Sequence, residues 1–146
     1  MAFQSESGTI RWKMHFRSPP AKVYDALTTD SGRAGYWAES APEHKDRITF
    51  HILNYEPFTG RILHREAPRS FVLEYFGTVV KFKLDDDGRG GTDLSLLATE
   101  VDESIRMEMT AGWVSVLMSM KAAVDHGVDL RNHDPTRSWH QGFADN

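Results

Sequence analysis

Seven histidines and no cysteine bound the chemistry this sequence can carry. Without a thiol there are no disulfides and no cysteine nucleophile, and the redox compartment is not signalled. His64 and Glu66 stand two residues apart in a stretch with strand alternation. If Ile62 faces inward, the same parity carries His64 and Glu66 inward. There an imidazole and a carboxylate could pass a proton or polarise a ligand carbonyl. At a strand end the same two side chains would be a solvated, inert rim pair. His15 and His51 alternate with charged and polar neighbours and read as solvent-facing. His126, His133 and His140 gather near the C-terminus at spacings that match no zinc pattern. No Gly-x-Ser-x-Gly stretch is present, and the glycines at 88–91 lie between two strands instead of ahead of a helix. No constellation joins nucleophile, base and oxyanion donors, so no catalytic residue, metal ligand or cofactor site is assigned.

Aromatic residues are the richer class. Trp12, Phe16, Trp37, Phe50, Phe71, Tyr75, Phe82 and Trp113 fall at inward strand parity or on helices. Such a set either packs solid as a core or lines a pocket, since small-molecule sites are mostly apolar with a few polar groups.

The element that must position them is a long helix over 104–127. Met109, Trp113, Val116, Leu117, Met120 and Val124 recur at spacings of three and four, which at about 100° per residue puts them on one stripe. Asp102 or Ser104 can cap its start, and His126 and Gly127 suit its end. Arg106 shares the stripe near the start. It could meet an anionic ligand head, or more ordinarily pair with an acid or reach out to water. The opposite face carries Ala111, Val114, Ser115, Met118 and Ala122, with no charge between Met109 and Met120. A bulky apolar front needs a sheet, and a small uncharged back needs a second partner.

Six strands are expected at 9–17, 47–54, 59–66, 70–76, 79–85 and 92–100, with room for a seventh in 51–58. Gly60 beside Ile62 signals a close backbone approach. Between the first two strands come a helix over 21–29, capped by Ser18 behind two prolines, and a second short helix over 33–39 bearing Tyr36 and Trp37. Residues 40–46 read as a loop, 67–69 as a turn and 86–91 as a hairpin connection. Strands joined by short turns pair antiparallel, giving an α+β domain whose sheet curls around the last helix.

A chain of 146 residues, 40% apolar and 26% charged, reads as one globular domain, with a core at 9–127 and a tail at 128–146. The tail holds Trp139 and Phe143, which a disordered segment rarely spends, so it is expected to be ordered, with the back of the long helix, of this protomer or of a second one, as the nearest surface. A formal charge of −4 with no basic tract argues against nucleic acid. No run of about 18 apolar residues and no leader pattern are seen, so no membrane role and a cytoplasmic setting are expected.

Four stretches resemble a known family, the activator-of-heat-shock-protein-ATPase-like branch of the START-like (SRPBCC) helix-grip superfamily. The first carries Pro20, Val23, Tyr24, Ala26, Leu27, Thr28 and Trp37. The second carries Gly60, Ile62, Pro68, Phe71, Leu73 and Tyr75. The third is the Gly-Gly-Thr-x-Leu pattern at 90–94, and the fourth holds Gly112, Trp113 and Leu117. Ala38 stands where the family often has a second aromatic, and Met120 where leucine is usual. The resemblance covers about 9–127 and implies a seven-stranded helix-grip fold with a cavity between sheet and helix. Related proteins bind apolar small molecules there, act as chaperone cofactors, or have no known activity. Joined to the residue pattern, it points to a binder of a small apolar or aromatic molecule, with Trp37, His64, Tyr75, Phe82, Met109, Trp113 and Met120 lining the site. The alternatives are a chaperone-ATPase-activating or other protein-interaction module, and a cyclase- or hydratase-like enzyme using His64 and Glu66. A homodimer through the back of the long helix is a separate expectation.

Overall fold

The computed structural model describes residues 3–146. The chain runs β1 (Ile10–Phe16), α1 (Pro20–Thr28), α2 (Asp30–Ala34), β2 (Glu43–His44), β3 (Arg47–Phe50), β4 (Phe58–Glu66), β5 (Ser70–Tyr75), β6 (Thr78–Asp86), β7 (Thr92–Thr99) and α3 (Glu103–His126). Seven strands form one antiparallel sheet in the order β1-β7-β6-β5-β4-β3-β2. This is the α+β helix-grip arrangement, with α3 on the inner face and α1 and α2 after the first strand.

Strand parity decides what the sheet buries. Phe71, Leu73 and Tyr75 of β5 and Val80, Phe82 and Leu84 of β6 point inward, while Glu74, Lys81 and Lys83 point to water. Against them α3 lays Trp113, Leu117, Met120 and Val124, all buried. Each such large apolar side chain contributes about 1.5–3 kcal/mol by leaving water. Asp102 caps α3 by accepting from the Ser104 N–H, and Gly127 ends it at φ 64° in the left-handed region. Gly60 is required by the sheet itself, because a Cβ there would stand 2.1 Å from the Glu74 carbonyl oxygen.

Four local expectations are corrected. The seventh strand is the two-residue β2 inside the segment read as a loop, not a strand in 51–58. Its turn uses Lys45 and Asp46 at φ 48° and 62°, the twist that suits a tight hairpin, and two residues are too few to show alternation. β3 stops at Phe50, after which only a Ser40–His51 bridge continues the pairing. Pro19, not Ser18, stands at the N-cap of α1, and Ser18 instead binds the Asp125 carboxylate at the far end of α3. The second short helix runs over Asp30–Ala34 instead of 33–39, started by Thr29 accepting from the Gly32 N–H, so Tyr36 and Trp37 lie in the turn beyond it.

Arg33 ties that turn down. It is fully buried, donating to the Ala41 and Leu27 carbonyls at 2.9 and 3.1 Å and to Asp30 at 2.8 Å. Burial lowers its pKa, partly offset by the Asp30 carboxylate. The Trp37 backbone N–H donates to the Arg33 carbonyl at 2.9 Å, fixing the turn from which the indole enters the core. Among the described residues no helix is long and apolar enough to cross a membrane.

Candidate functional site

Beside α3 lies a cavity of about 580 Å³, within the range of small-molecule sites. Its floor is aromatic. Trp113 meets Tyr75 at 5.1 Å and Trp37 at 5.9 Å between ring centroids, and Trp37 meets Tyr75 at 5.5 Å. Met109 and Val116 of α3 form one wall, with Gly112 between them, where an added Cβ would meet nothing within 4 Å. Ile52, Leu53 and Tyr55 form the other wall.

The C-terminal segment crosses the mouth. Arg131 donates to the Ala34 and Ala38 carbonyls, both at 2.7 Å, and pairs with Asp129. Asn54 donates to the Pro135 carbonyl at 2.7 Å, Trp139 to Glu108 at 2.9 Å, and Ser115 to the Ala144 carbonyl at 2.7 Å. His133 sits between Glu39 and Asp129 at 2.9 and 2.7 Å, and both carboxylates raise its pKa. Burial works against the Asp129 anion, but Arg131 and His133 together outweigh it and hold that carboxyl well below the usual range. The tail thus narrows the mouth of the cavity and meets α3 at Ser115 and Glu108, leaving Val114 41% and Met118 49% exposed.

Two polar groups at the floor are orphans. The indole nitrogens of Trp37 and Trp113 are shut off from water and have no hydrogen-bond partner. Each such buried donor costs about 1–3 kcal/mol. The other two indoles are satisfied, Trp12 by the Thr110 carbonyl and Trp139 by Glu108. Burial pushes the Tyr75 phenol far up, and the nearby Trp37 N–H offsets only part of that without reaching hydrogen-bond geometry.

Of the side chains expected at the site, Trp37, Tyr75, Met109 and Trp113 line the cavity. Phe82 packs behind them, 5.8 Å from Trp37 and 5.9 Å from Trp113, and Met120 is sealed in the core. His64 lies elsewhere. β4 pairs Ile62 with Leu73 but His64 with Val72, so an extra residue, Leu63, bulges out and reverses the parity. His64 and Glu66 do meet, at 3.8 Å, but on the outer face with side chains 54% and 64% exposed. The pair is therefore no proton relay inside the cavity. Arg106 does not reach the mouth either, and donates to the carbonyls of Thr9, Gln4 and Glu6. Tyr55, Glu108, Arg131, Trp139 and His140 were missed as lining residues. Their one signal in the sequence was the aromatic content of the tail. Glu108 accepts from Trp139 through one carboxylate oxygen, and Arg131 is held by the Ala34 and Ala38 carbonyls and Asp129. Among the described residues no three metal-binding side chains gather.

No curated protein matches the sequence. Solved structures do match in fold. One is a protein from Staphylococcus saprophyticus, with TM-score 0.73 and 21% identity over 84% of this chain and 96% of that one. Another is the Aha1 dimer from Colwellia psychrerythraea, with TM-score 0.73 and 20% identity over 82% of this chain and 97% of that one. A third is DynU16, described as a putative protein in the dynemicin biosynthetic locus, with TM-score 0.74 and 16% identity over 85% of this chain and 49% of that one. The family model described as "Activator of Hsp90 ATPase homolog 1-like protein" matches residues 17–125, from the end of β1 almost to the end of α3. With the START-like fold and that match over most of its length, the chain belongs to the Activator of Hsp90 ATPase homolog 1-like family.

Proposed function

We propose that this protein binds a small apolar or aromatic molecule in the cavity beside α3. The observation that supports it is the cavity itself, about 580 Å³, floored by Trp37, Tyr75 and Trp113 and walled by Met109. Aromatic faces favour offset or edge contact with another ring, and methionine adapts to irregular guests. Native mass spectrometry of the protein purified from its own host tests the reading. A retained small molecule, lost on denaturation and absent from a Gly112→Phe variant, is the expected result. A bare mass, together with no thermal shift from any aromatic probe at its solubility limit, overturns it.

We infer a second property, self-association through the back of α3. Met107, Val114 and Met118 are exposed there on a surface without charge between Met109 and Met120. The fold neighbour from Colwellia psychrerythraea is described as a dimer. Light scattering of the full chain should give twice the 16.6 kDa protomer mass, and Met118→Glu should halve it. A monomer mass at high micromolar concentration removes this inference and leaves the cavity untouched.

A further inference from the structure

Among the described residues, Glu108 is the one charged side chain that α3 contributes to the cavity lining. Ile105, Glu108, Gly112, Ser115 and Ser119 recur at spacings of three and four, so they share a stripe, and all five line the cavity. One Glu108 carboxylate oxygen accepts from the Trp139 indole at 2.9 Å. The other has no partner among the described residues, and no cationic side chain there pairs with it. One turn further along, Gly112 leaves open space where a side chain would stand. A carboxylate with an unused oxygen therefore borders a gap at the rim of an aromatic cavity.

The lining groups that can only donate are shut off or largely spent. The Trp37 and Trp113 indole N–H groups are sealed from the cavity space. That of Trp139 is given to Glu108. Arg131 spends four of its five N–H bonds on the Ala34 and Ala38 carbonyls and on Asp129, which also balances its charge. Ser115 gives its proton to the Ala144 carbonyl, so towards a guest it only accepts. The remaining hydroxyls and His140 can bond in either sense and set no preference.

We propose that the guest is an amphipathic amine, with its apolar or aromatic body against the aromatic floor and its ammonium group at the mouth on the unused oxygen of Glu108. This rests on the cavity reading above and adds a chemical class to it. At the mouth the ammonium keeps water on the protons that Glu108 does not take, so the cost of desolvating it stays small. A carboxylate in the same place would face the Glu108 charge.

Three probes sharing one ring system separate the classes: 2-naphthylmethylamine, 2-naphthalenemethanol and 2-naphthoate. Each is titrated calorimetrically into the full chain near neutral pH. The amine should bind about three- to fivefold more tightly than the alcohol, the scale of an ion pair open to water on one side. Salt at about 1 M should remove most of that margin. Glu108→Gln keeps an acceptor for Trp139 and removes the charge, so it should close the margin. In the ¹⁵N-labelled chain the Trp139 indole signal, bonded to the same carboxylate, should move further with the amine than with the alcohol, while that of Trp12, bonded to the Thr110 carbonyl, stays. Should the variant not fold, the salt dependence and the Trp139 signal of the unaltered chain still decide. Equal binding of amine and alcohol overturns the amine inference and leaves the cavity reading standing. So does a margin that survives Glu108→Gln, since it then belongs to the overall charge of −4. Amine binding that survives Gly112→Phe lies outside the cavity and overturns the inference, as does tightest binding by the carboxylate. Binding of none of the three overturns the cavity reading, and this inference with it.

Discussion

The imidazole of His140 lies flat on the phenol ring of Tyr55, with centroids 5.7 Å apart and planes 5° from parallel. One ring comes from the tail and the other from the stretch between β3 and β4, so the contact ties the two sides of the cavity mouth together. His140→Ala should cost about 0.5–1.5 kcal/mol at the tail and little in the sheet. Limited proteolysis should then cut within 128–146 faster than in the unaltered chain, while the β-sheet signal by circular dichroism stays. Unchanged cleavage would show that the stack carries nothing.

His133 makes the tail sensitive to pH. Its pKa is raised by hydrogen bonds to Asp129 and Glu39, against partial burial and, more weakly, Arg131. A raised value means the stabilisation is complete below the ordinary histidine value of about 6.5 and is lost as pH climbs through the folded-state value. Asp129 runs the other way, but its depressed value confines that loss to strongly acid solution. Amide exchange in 128–141 should therefore accelerate between mildly acidic and mildly alkaline pH beyond its intrinsic rate, and His133→Gln should abolish the excess. A flat profile in the unaltered protein would contradict this.

Gly60→Ala should be among the most damaging conservative changes in the sheet. Its Cβ would be driven to 2.1 Å from the Glu74 carbonyl, which is backbone and cannot swing aside. A loss of about 3 kcal/mol is expected by denaturant titration, at the upper end for overpacking. Near-unchanged stability would mean β4 and β5 separate more readily than this contact implies.

Gly112 offers the opposite outcome. It lies mid-helix with open space where a side chain would go. Gly112→Ala should stabilise by about 0.5–1 kcal/mol through helix propensity alone. Gly112→Phe should fill the cavity and abolish probe binding while the fold persists. If the phenylalanine variant still binds an aromatic probe as before, the guest sits elsewhere.

Periodicity made the strands and the long helix readable, because six of the seven strands and α3 are long enough for alternation or a stripe to show. Legibility failed where one residue reversed the pattern. The bulge at Leu63 swung His64 and Glu66 out of the cavity, and the adjacent pair Ile62-Leu63 does not itself say where the extra residue falls. Phe82 and Met120 were read correctly as inward-facing, but parity cannot separate a side chain behind the cavity from one in front of it. The tail failed differently. Of its cavity residues, Arg131 and Trp139 are placed by hydrogen bonds to distant carbonyls and a carboxylate, and His140 by a stack on Tyr55, none of which leaves a repeat in the sequence. Arg33, fully buried at the corner that aims Trp37, was invisible for the same reason.

The strap over the mouth is fastened mainly by polar bonds, at Asn54, Ser115, Glu108 and the Arg131–His133 cluster, with Val128 and Leu130 left facing solvent. These bonds are solvent-exposed and water can replace them, so the strap belongs to the low-cost end of local openings and need not await unfolding of the sheet. For the guest proposed above, residence time and affinity would then be set by different parts of the molecule: the floor would decide how strongly it is held, and the clasp how long it stays.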